Sequence, residues 1–326
     1  MKWLYTYVEQ CNSGSSDACL PYQNNTIFYA YSNDIDFDTY RQGVYFMVYY
    51  TKKYTSLANV RFDTKQEEEI EYHSDWRSFN ASIYSHQPKP SLGYGDKTTG
   101  SNLYKVLKKF LNNGKVSLCG AQVLVLSKRY PDESDVSDII SQLRANHVMV
   151  RIAVDSIPSG GSNSASLYEM SYQTNGYCAF ATGQDLEIAF AYMTEIFRRP
   201  YQFIAQNFVV SGSGRIEKPA FEIPASDGFI NWCKFAITVQ NHTLDNTFVS
   251  MNYTIERTDG THVYEYPSDY SHHLSGTAQT DEFYCNSSLS YKWTMDYHYN
   301  TNEQQIYQLR MYNLFYHDFL PLPPFG

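Results

Sequence analysis

The fold is decided by residues 119–154, which read CGAQVLVLSKRYPDESDVSDIISQLRANHVMVRIAV. The stretch opens with the apolar run Ala121–Leu126 and then passes through the polar turn Ser127–Pro131. The next segment has the hydrophobic period of a helix, with apolar side chains at Val136, Ile139, Ile140 and Leu143. A second apolar run, Val148–Val154, follows it. The sequence therefore predicts a strand, a helix and a second strand in one right-handed crossover, with the two strands parallel.

Both predicted strands are apolar on both faces, so helices must cover the sheet from both sides. An earlier apolar run at Thr26–Tyr31 predicts a further strand of the same sheet. Helical stripes precede and follow the crossover, with Leu103 and Leu107 in one and Leu186 and Phe190 in the other. Residues 22–198 are thus predicted to form a doubly wound α/β domain with a mostly parallel sheet.

Beyond residue 199 the hydrophobic period changes from 3.6 to 2. Apolar and polar residues alternate from Cys233 to Gln240, from Val249 to Glu256 and from Tyr291 to Tyr297. Turn signals such as Asp259-Gly260 separate these runs. Residues 199–326 are therefore predicted to form an antiparallel β-sandwich, and residues 1–21 a short N-terminal segment.

Charge and hydropathy exclude two classes of partner. The formal net charge is −9, which argues against nucleic-acid binding. No apolar run reaches the roughly eighteen residues that a membrane-spanning helix requires. The start, Met1–Glu9, has too short an apolar core for a signal peptide, so we expect a native secretory start to lie upstream of it.

Cysteines and sequons indicate an extracellular protein. The six cysteines are an even number, and we predict the disulfides Cys11–Cys19, Cys233–Cys285 and, by elimination, Cys119–Cys178. Cys233–Cys285 is expected to link the two sheets of the sandwich. The last pair conflicts with geometry, because strands two apart lie roughly 9–10 Å from each other, whereas a disulfide needs Cα atoms within about 7 Å. N-glycosylation sequons occur at Asn24, Asn80, Asn241, Asn252 and Asn286. Strand alternation places Asn252 and Asn286 on solvent-facing positions.

Three loops are expected to converge at the carboxyl edge of the parallel sheet, where open α/β folds bind ligands. They are Ser32–Asp36, Asp96–Ser101 and Ser127–Asp132. This set resembles the von Willebrand factor A domain, whose metal-ion-dependent adhesion site uses the same three positions. The local matches are the run TTGSNL at 98–103 before a helix and the crossover at 123–154. The chain also resembles secreted nematode proteins that join such a domain to a small β-domain.

The metal motif of that family is altered here. Its first loop reads Asp-x-Ser-x-Ser, but residues 31–36 read YSNDID, and its third-loop aspartate is replaced by Lys128. An ammonium group in place of a carboxylate repels a cation, so the resemblance implies a site without metal, in which Lys128 pairs with Asp34 or Asp36. The alternative is a rearranged ligand set. It comprises Ser32, Asp34 and Asp36 with Thr98 or Thr99.

Two functions from different classes remain. The first is a secreted, non-catalytic recognition or adhesion protein that binds a protein or a glycan without a cofactor. Its candidate ligand-binding residues are Ser32, Asp34, Asp36, Thr98, Thr99 and Lys128. The alternative is a hydrolase-like α/β enzyme that uses the same crevice. The sequence has no Gly-x-Ser-x-Gly nucleophile elbow, which favours the recognition protein.

Overall fold

The computed structural model describes residues 19–21, 26–224, 230–243, 245–266 and 278–324. The first part of the chain forms a six-stranded sheet in the order β3-β2-β1-β4-β5-β6. All neighbouring pairs are parallel except β3 with β2. The strands are β1 (Thr26–Ser32), β2 (Ser56–Phe62), β3 (Glu71–His73), β4 (Gln122–Ser127), β5 (Met149–Asp155) and β6 (Cys178–Ala181).

Helices cover both faces of this sheet, as the apolar strands require. They are α1 (Phe37–Tyr50), α2 (Trp76–Ser85), α3 (Leu103–Leu111), α4 (Ser137–Ala145), α5 (Ser164–Gln173) and α6 (Gly183–Glu195). The helices α3, α4 and α5 share one hydrophobic core with the sheet, whereas α1, α2 and α6 share the core on its other face. The central crossover is β4-α4-β5, with Val123 opposite Val150.

The second part of the chain forms two antiparallel four-stranded sheets, in the orders β11-β10-β13-β8 and β12-β9-β14-β7. Their strands are β7 (Tyr201–Val210), β8 (Ser213–Glu222), β9 (Ile230–Thr238), β10 (Phe248–Arg257), β11 (His262–Tyr266), β12 (Ala278–Asn286), β13 (Ser290–Tyr299) and β14 (Gln305–Asn313). Rings cross between the sheets, with Phe235 at 5.6 Å from Tyr253 and Phe208 at 5.8 Å from Trp293. This is a β-sandwich around one core, and the predicted fold class is confirmed.

Strand alternation holds in β10 except at its start. Met251, Tyr253 and Ile255 are buried and Asn252 is exposed, as the pattern predicts. Val249, expected to point inward, is instead 45% exposed. The register of β10 against β13 shifts between Phe248 and Ser250, and such a bulge reverses the direction of the side chains before it.

The polar face of the sheet β12-β9-β14-β7 packs on the α/β domain. Arg310 is buried, and its Nε donates to the carbonyl oxygens of Asn175 and Gly176 at 3.1 and 2.7 Å. Lys234 is buried and pairs with Glu195 of α6. The alternation of β9 and β14 therefore serves two interfaces, one inside the sandwich and one between the domains.

Candidate functional site

The three predicted loops meet at the carboxyl edge of the parallel sheet around one buried cation, Arg129. Its Nε lies 3.0 Å from Asp34 Oδ2, and a terminal nitrogen lies 2.9 Å from the same oxygen. The guanidinium also donates to the carbonyl oxygens of Thr99 at 2.5 Å and Asp96 at 2.9 Å. Ser159 Oγ donates to Asp34 Oδ2 at 2.6 Å. One side chain therefore ties the loop after β1 to the loop before α3.

The sequence around Arg129 fixes its position. It follows β4 by two residues, and its carbonyl oxygen accepts a hydrogen bond from Ser127 Oγ at 2.9 Å. A side chain at Gly160 would place its Cβ 2.0 Å from an Arg129 nitrogen, so only glycine leaves room for the guanidinium. Tyr94 covers it from another side, with its ring 5.2 Å away. The Arg129 side chain is 2% exposed.

The expected ion pair of Lys128 with Asp34 or Asp36 is wrong. Lys128 Nζ lies 2.9 Å from Asp155 Oδ2, at the end of β5. Both residues follow β4 in a bend, and their side chains reach different partners, Asp155 for Lys128 and Asp34 for Arg129. Arg129 takes the place that the sequence assigned to Lys128. The sequence did offer Arg129 as an alternative partner for Asp34, because it is adjacent to Lys128 and carries the same charge.

The other predicted residues serve local turns and caps. Asp36 is the N-cap of α1, and its Oδ1 accepts from the Thr39 amide at 3.2 Å and the Thr39 hydroxyl at 3.0 Å. The hydroxyls of Thr98 and Thr99 donate to Asp96 at 3.1 and 2.9 Å. Of the six candidates, the Arg129 network includes only Asp34 and the carbonyl oxygen of Thr99.

Ser32 belongs to a second cluster, centred on Asp63, which follows β2. Asp63 Oδ2 accepts from Ser32 Oγ at 2.6 Å, and Oδ1 accepts from Ser101 Oγ at 2.8 Å and from the Asn102 amide at 3.2 Å. Asp63 is fully buried, and burial raises its pKa to about 7. Sequence reasoning missed this residue, although an aspartate directly after a strand at the carboxyl edge is a recognisable signal.

This donor set does not fit the divalent cation that the family resemblance implies. Such an ion needs several oxygens that point into one space. Here Asp34 already accepts from Arg129, and the Ser32 hydroxyl is directed at Asp63. A guanidinium in contact with Asp34 also repels a second cation. Across the described ranges, no group of three or more His, Cys, Asp or Glu side chains is arranged to hold a metal ion.

The disulfides differ in part from the prediction. Cys233 and Cys285 are paired as predicted, with Cα atoms 6.1 Å apart. The expected link between the two sheets is wrong, because the bridge joins the neighbouring strands β9 and β12 of one sheet. Cys19 pairs with Cys119 at a Cα distance of 5.3 Å, so the predicted Cys11–Cys19 and Cys119–Cys178 bridges are wrong; Cys11 itself lies outside the described residues. The segment at 19–21 lies beside the loop that leads into β4.

Cys178 is a buried free thiol in β6. The strand β5 separates it from β4, which is the separation that conflicted with the Cys119 pairing. Burial raises the pKa of this thiol well above its usual value.

The sequons differ in exposure. Asn252 is exposed, whereas Asn80, Asn241 and Asn286 are half-buried. Asn24 lies outside the described residues. None of the helices in the described ranges is long and apolar enough to cross a bilayer.

Comparison with known families gives one partial match. A family model described as "Domain of unknown function (DUF7154)" matches residues 206–314, within the β-sandwich. A search of curated proteins finds no match.

Solved structures with similar folds include the von Willebrand factor type A protein from Catenulispora acidiphila. It has 10% identity and a TM-score of 0.37, over 89% of this chain and 58% of that one. Proximal thread matrix protein 1 from the mussel byssus has 12% identity and a TM-score of 0.39, over 58% and 50%. Human Sec24c has 9% identity and a TM-score of 0.36, over 89% and 43%. The chain spans about half the length of these structures. The first part of this chain is a mostly parallel six-stranded sheet with an antiparallel edge strand and helices on both faces.

Proposed function

We propose that the chain is an extracellular recognition protein that binds a protein or glycan ligand through the carboxyl-edge loops, without a divalent cation and without catalysis. The observation that carries the proposal is the Arg129 guanidinium, which holds Asp34, Asp96 and Thr99 in one network. Arg129 supplies a permanent positive charge where the resembling family recruits a metal. Its hydrogen bonds join the loop after β1 to the loop before α3.

The exposed surface above this network is the turn at 96–99. Asp96, Lys97, Thr98 and Thr99 are all exposed. Their backbone is held by Asp96 Oδ1, which accepts the amides of Thr98 and Thr99 at 2.8 and 2.7 Å. A rigid polar loop suits recognition, because little conformational entropy is lost when a ligand binds to it.

The serine–aspartate cluster is the observation that favours an enzyme as the second candidate. A carboxyl group with a pKa of about 7 beside two hydroxyls resembles a base with nucleophiles. However, Ser32 and Asp63 are 0% exposed and Ser101 is 4% exposed, so a substrate has no route to these hydroxyls. The cluster is better explained as a structural network that holds the ends of β1 and β2 to the start of α3.

The extracellular location is supported by the two disulfides, Cys19–Cys119 and Cys233–Cys285. Disulfides persist in oxidising compartments and are rare in the reducing cytosol.

The test has two parts. Thermal melts with excess Mg²⁺, Mn²⁺ or Ca²⁺ and with EDTA are expected to coincide, because we expect none of these ions to bind. An ion that did bind would stabilise the fold by about 2.7 kcal/mol at a hundredfold excess over its Kd, which a melt would detect. A glycan array and a membrane-fraction pull-down in EDTA are expected to reveal a ligand, and a hydrolase screen to stay negative. A reproducible rise in Tm with one ion, or turnover in the screen, would contradict the proposal.

A matched pair of variants locates the binding surface. Thr98→Arg adds a bulky charge to the exposed turn, and capture of the array ligand is expected to fall by at least about tenfold. Thr261→Arg is the control, because Thr261 is also exposed and its amide also donates to an aspartate two residues earlier, Asp259, at 2.8 Å. Equal binding by both variants would place the ligand elsewhere.

A further inference from the structure

The outward face of α1 carries aromatic rings that the core does not use. Tyr45 and Tyr49 lie one turn apart and are 67% and 66% exposed. The opposite face of the helix buries Val44 and Met47 against the sheet. Exposed tyrosines are common singly, but here half-buried rings adjoin them: Phe46 lies 5.3 Å from Tyr45. The helix therefore presents a contiguous aromatic surface to solvent.

Cations are held over these rings. Lys52 Nζ lies 5.1 Å from the ring centre of Tyr49 and 5.0 Å from that of Trp76. The Arg77 guanidinium lies 5.4 Å from the Trp76 ring. Cation–π contacts at these distances fix the charges in place.

The surface continues onto the short turn Ile196–Arg198 that follows α6. Tyr49 and Tyr50 are in edge contact at 5.2 Å, and the Arg198 guanidinium lies 6.0 Å from the Tyr50 ring. Lys53 Nζ donates to the Arg198 carbonyl oxygen at 3.1 Å. We define the aromatic–basic surface as Tyr45, Tyr49, Lys52, Trp76, Arg77 and Arg198.

The cations of this surface, which are Lys52, Arg77 and Arg198, make no direct ion pair within 4.0 Å among the described residues, whereas the neighbouring carboxylates are engaged. Asp75 caps α2 by accepting the Arg77 and Ser78 amides, and its carboxylate is the negative charge beside Arg77. The nearby Glu195 and Glu282 pair with Lys234 and Arg199. The chain thus carries a local group of basic side chains although its formal net charge is −9.

We propose that the aromatic–basic surface binds an anionic polysaccharide, with its sulfate or carboxylate groups on the cations and its sugar rings on the tyrosines. This inference goes beyond the proposed function, because it places a second class of ligand on a surface away from the carboxyl-edge loops. Fixed cations interleaved with flat, exposed rings match a chain of pyranose rings that carry charges at intervals.

Two other anionic partners fit less well. Membrane binding requires buried apolar area, but the exposed members of this surface are tyrosines and charged residues, with no exposed aliphatic side chain among them. Nucleic acid is disfavoured by the disulfides, which indicate an oxidising compartment. Sulfated or uronate-bearing glycans, by contrast, are extracellular polyanions.

This surface lies away from the carboxyl-edge loops. α1 begins after β1 at that edge and runs back, so its C-terminal end lies at the amino edge. α2 begins after the antiparallel strand β3, again at the amino edge. The two surfaces are therefore separable by mutation.

The experiment measures binding of the full chain to a sulfated heparin octasaccharide, with neutral dextran as a blank. Lys52→Glu combined with Arg77→Glu is expected to weaken binding by at least about tenfold, because two exposed attractions become repulsions. Lys115→Glu combined with Lys292→Glu is the matched control, since both lysines are exposed and Lys115 also lies over a ring, that of Tyr72. The control is expected to bind like the wild type.

A second variant tests the rings. Tyr45→Ala combined with Tyr49→Ala is expected to weaken octasaccharide binding by about fivefold or more, and both changes leave the core intact because the side chains are exposed. Added salt is expected to weaken wild-type binding, since exposed charges are screened.

Three outcomes would overturn the inference. They are no binding of the octasaccharide, equal loss in the Lys115/Lys292 control, and preferential binding to vesicles of phosphatidylcholine and phosphatidylserine in equal amounts. If an array ligand is captured in EDTA but the Lys52/Arg77 variant binds the octasaccharide like the wild type, this inference fails and the proposed recognition function stands. If no array ligand is captured while the octasaccharide binds as expected, the carboxyl-edge proposal fails instead.

Discussion

Replacement of Arg129 by methionine tests whether an internal cation organises the carboxyl-edge loops. Methionine keeps much of the apolar stem but removes every hydrogen bond of the guanidinium. Among the described residues, Asp34 would retain only the Ser159 hydroxyl as a side-chain donor, and its side chain is only 12% exposed. The change therefore leaves a nearly buried carboxylate without its counter-charge.

The expected loss of unfolding free energy follows from the burial of the Arg129–Asp34 ion pair. Removal of one partner of a buried ion pair lowers the unfolding free energy by about 3–5 kcal/mol. The carbonyl oxygens of Asp96 and Thr99 belong to exposed residues and can be hydrated after the change, so we expect a value near the lower end, about 3 kcal/mol. For a domain of this size that corresponds to a fall in Tm of roughly 6–12 °C.

Urea unfolding of four variants supplies the measurement. Arg129→Met, Asp34→Asn and the double variant form a cycle, and we expect a coupling free energy of about 1–3 kcal/mol. Arg215→Met is the matched control, because Arg215 also places its Nε and one terminal nitrogen on an aspartate, Asp296, but the two side chains are 58% and 49% exposed. Surface pairs contribute about 0–1 kcal/mol. Equal destabilisation by Arg129→Met and Arg215→Met, or no coupling with Asp34, would refute the reasoning.

Further predictions concern titration, thiols and glycosylation. Because burial raises the pKa of Asp63 to about 7, above about 3.9 in the unfolded chain, the native state binds the extra proton between these values and stability falls as the pH rises through them. The unfolding free energy of the wild type relative to Asp63→Asn should drop by about 2–3 kcal/mol from pH 5 to pH 7, and a flat difference would contradict the assignment. Cys178 should react with a thiol reagent only after unfolding, since it is 0% exposed. Peptide mapping without reduction should recover Cys19 linked to Cys119; finding either as a free thiol would contradict this pairing. Expression through a secretory pathway should give a glycan at the exposed Asn252, detected as Asn-to-Asp conversion by mass spectrometry after glycosidase treatment; an unmodified Asn252 in an otherwise glycosylated product would contradict it.

The local pattern of apolar and polar residues was sufficient to predict the fold class. The apolar runs on each side of the Val136–Leu143 stripe can be buried only as parallel strands under helices, and the structure has β4-α4-β5 there. The two-residue period likewise placed Cys233 inside the sandwich, where it meets Cys285. These features depend on periodicity along the chain, which the sequence contains in full.

Which residues pair with each other depended on distances between segments that are far apart in sequence. Asp34 could have paired with either Lys128 or Arg129. The directions that these two side chains take after β4 decided that Arg129 is its partner. The predicted Cys119–Cys178 bridge failed because β5 lies between β4 and β6, while the segment at Cys19 is close enough to pair.

The interface between the domains was also decided by tertiary structure. Lys234 and Arg310 lie on the polar positions of β9 and β14, which a two-residue period assigns to solvent. Both are buried, because the α/β domain covers that face and supplies Glu195 and the backbone carbonyls of residues 175–176 as partners. By itself the sequence determined which side chains share a face. Only the packing of the second domain decided whether that face meets water or protein, since burial of a charge depends on a partner elsewhere in the chain.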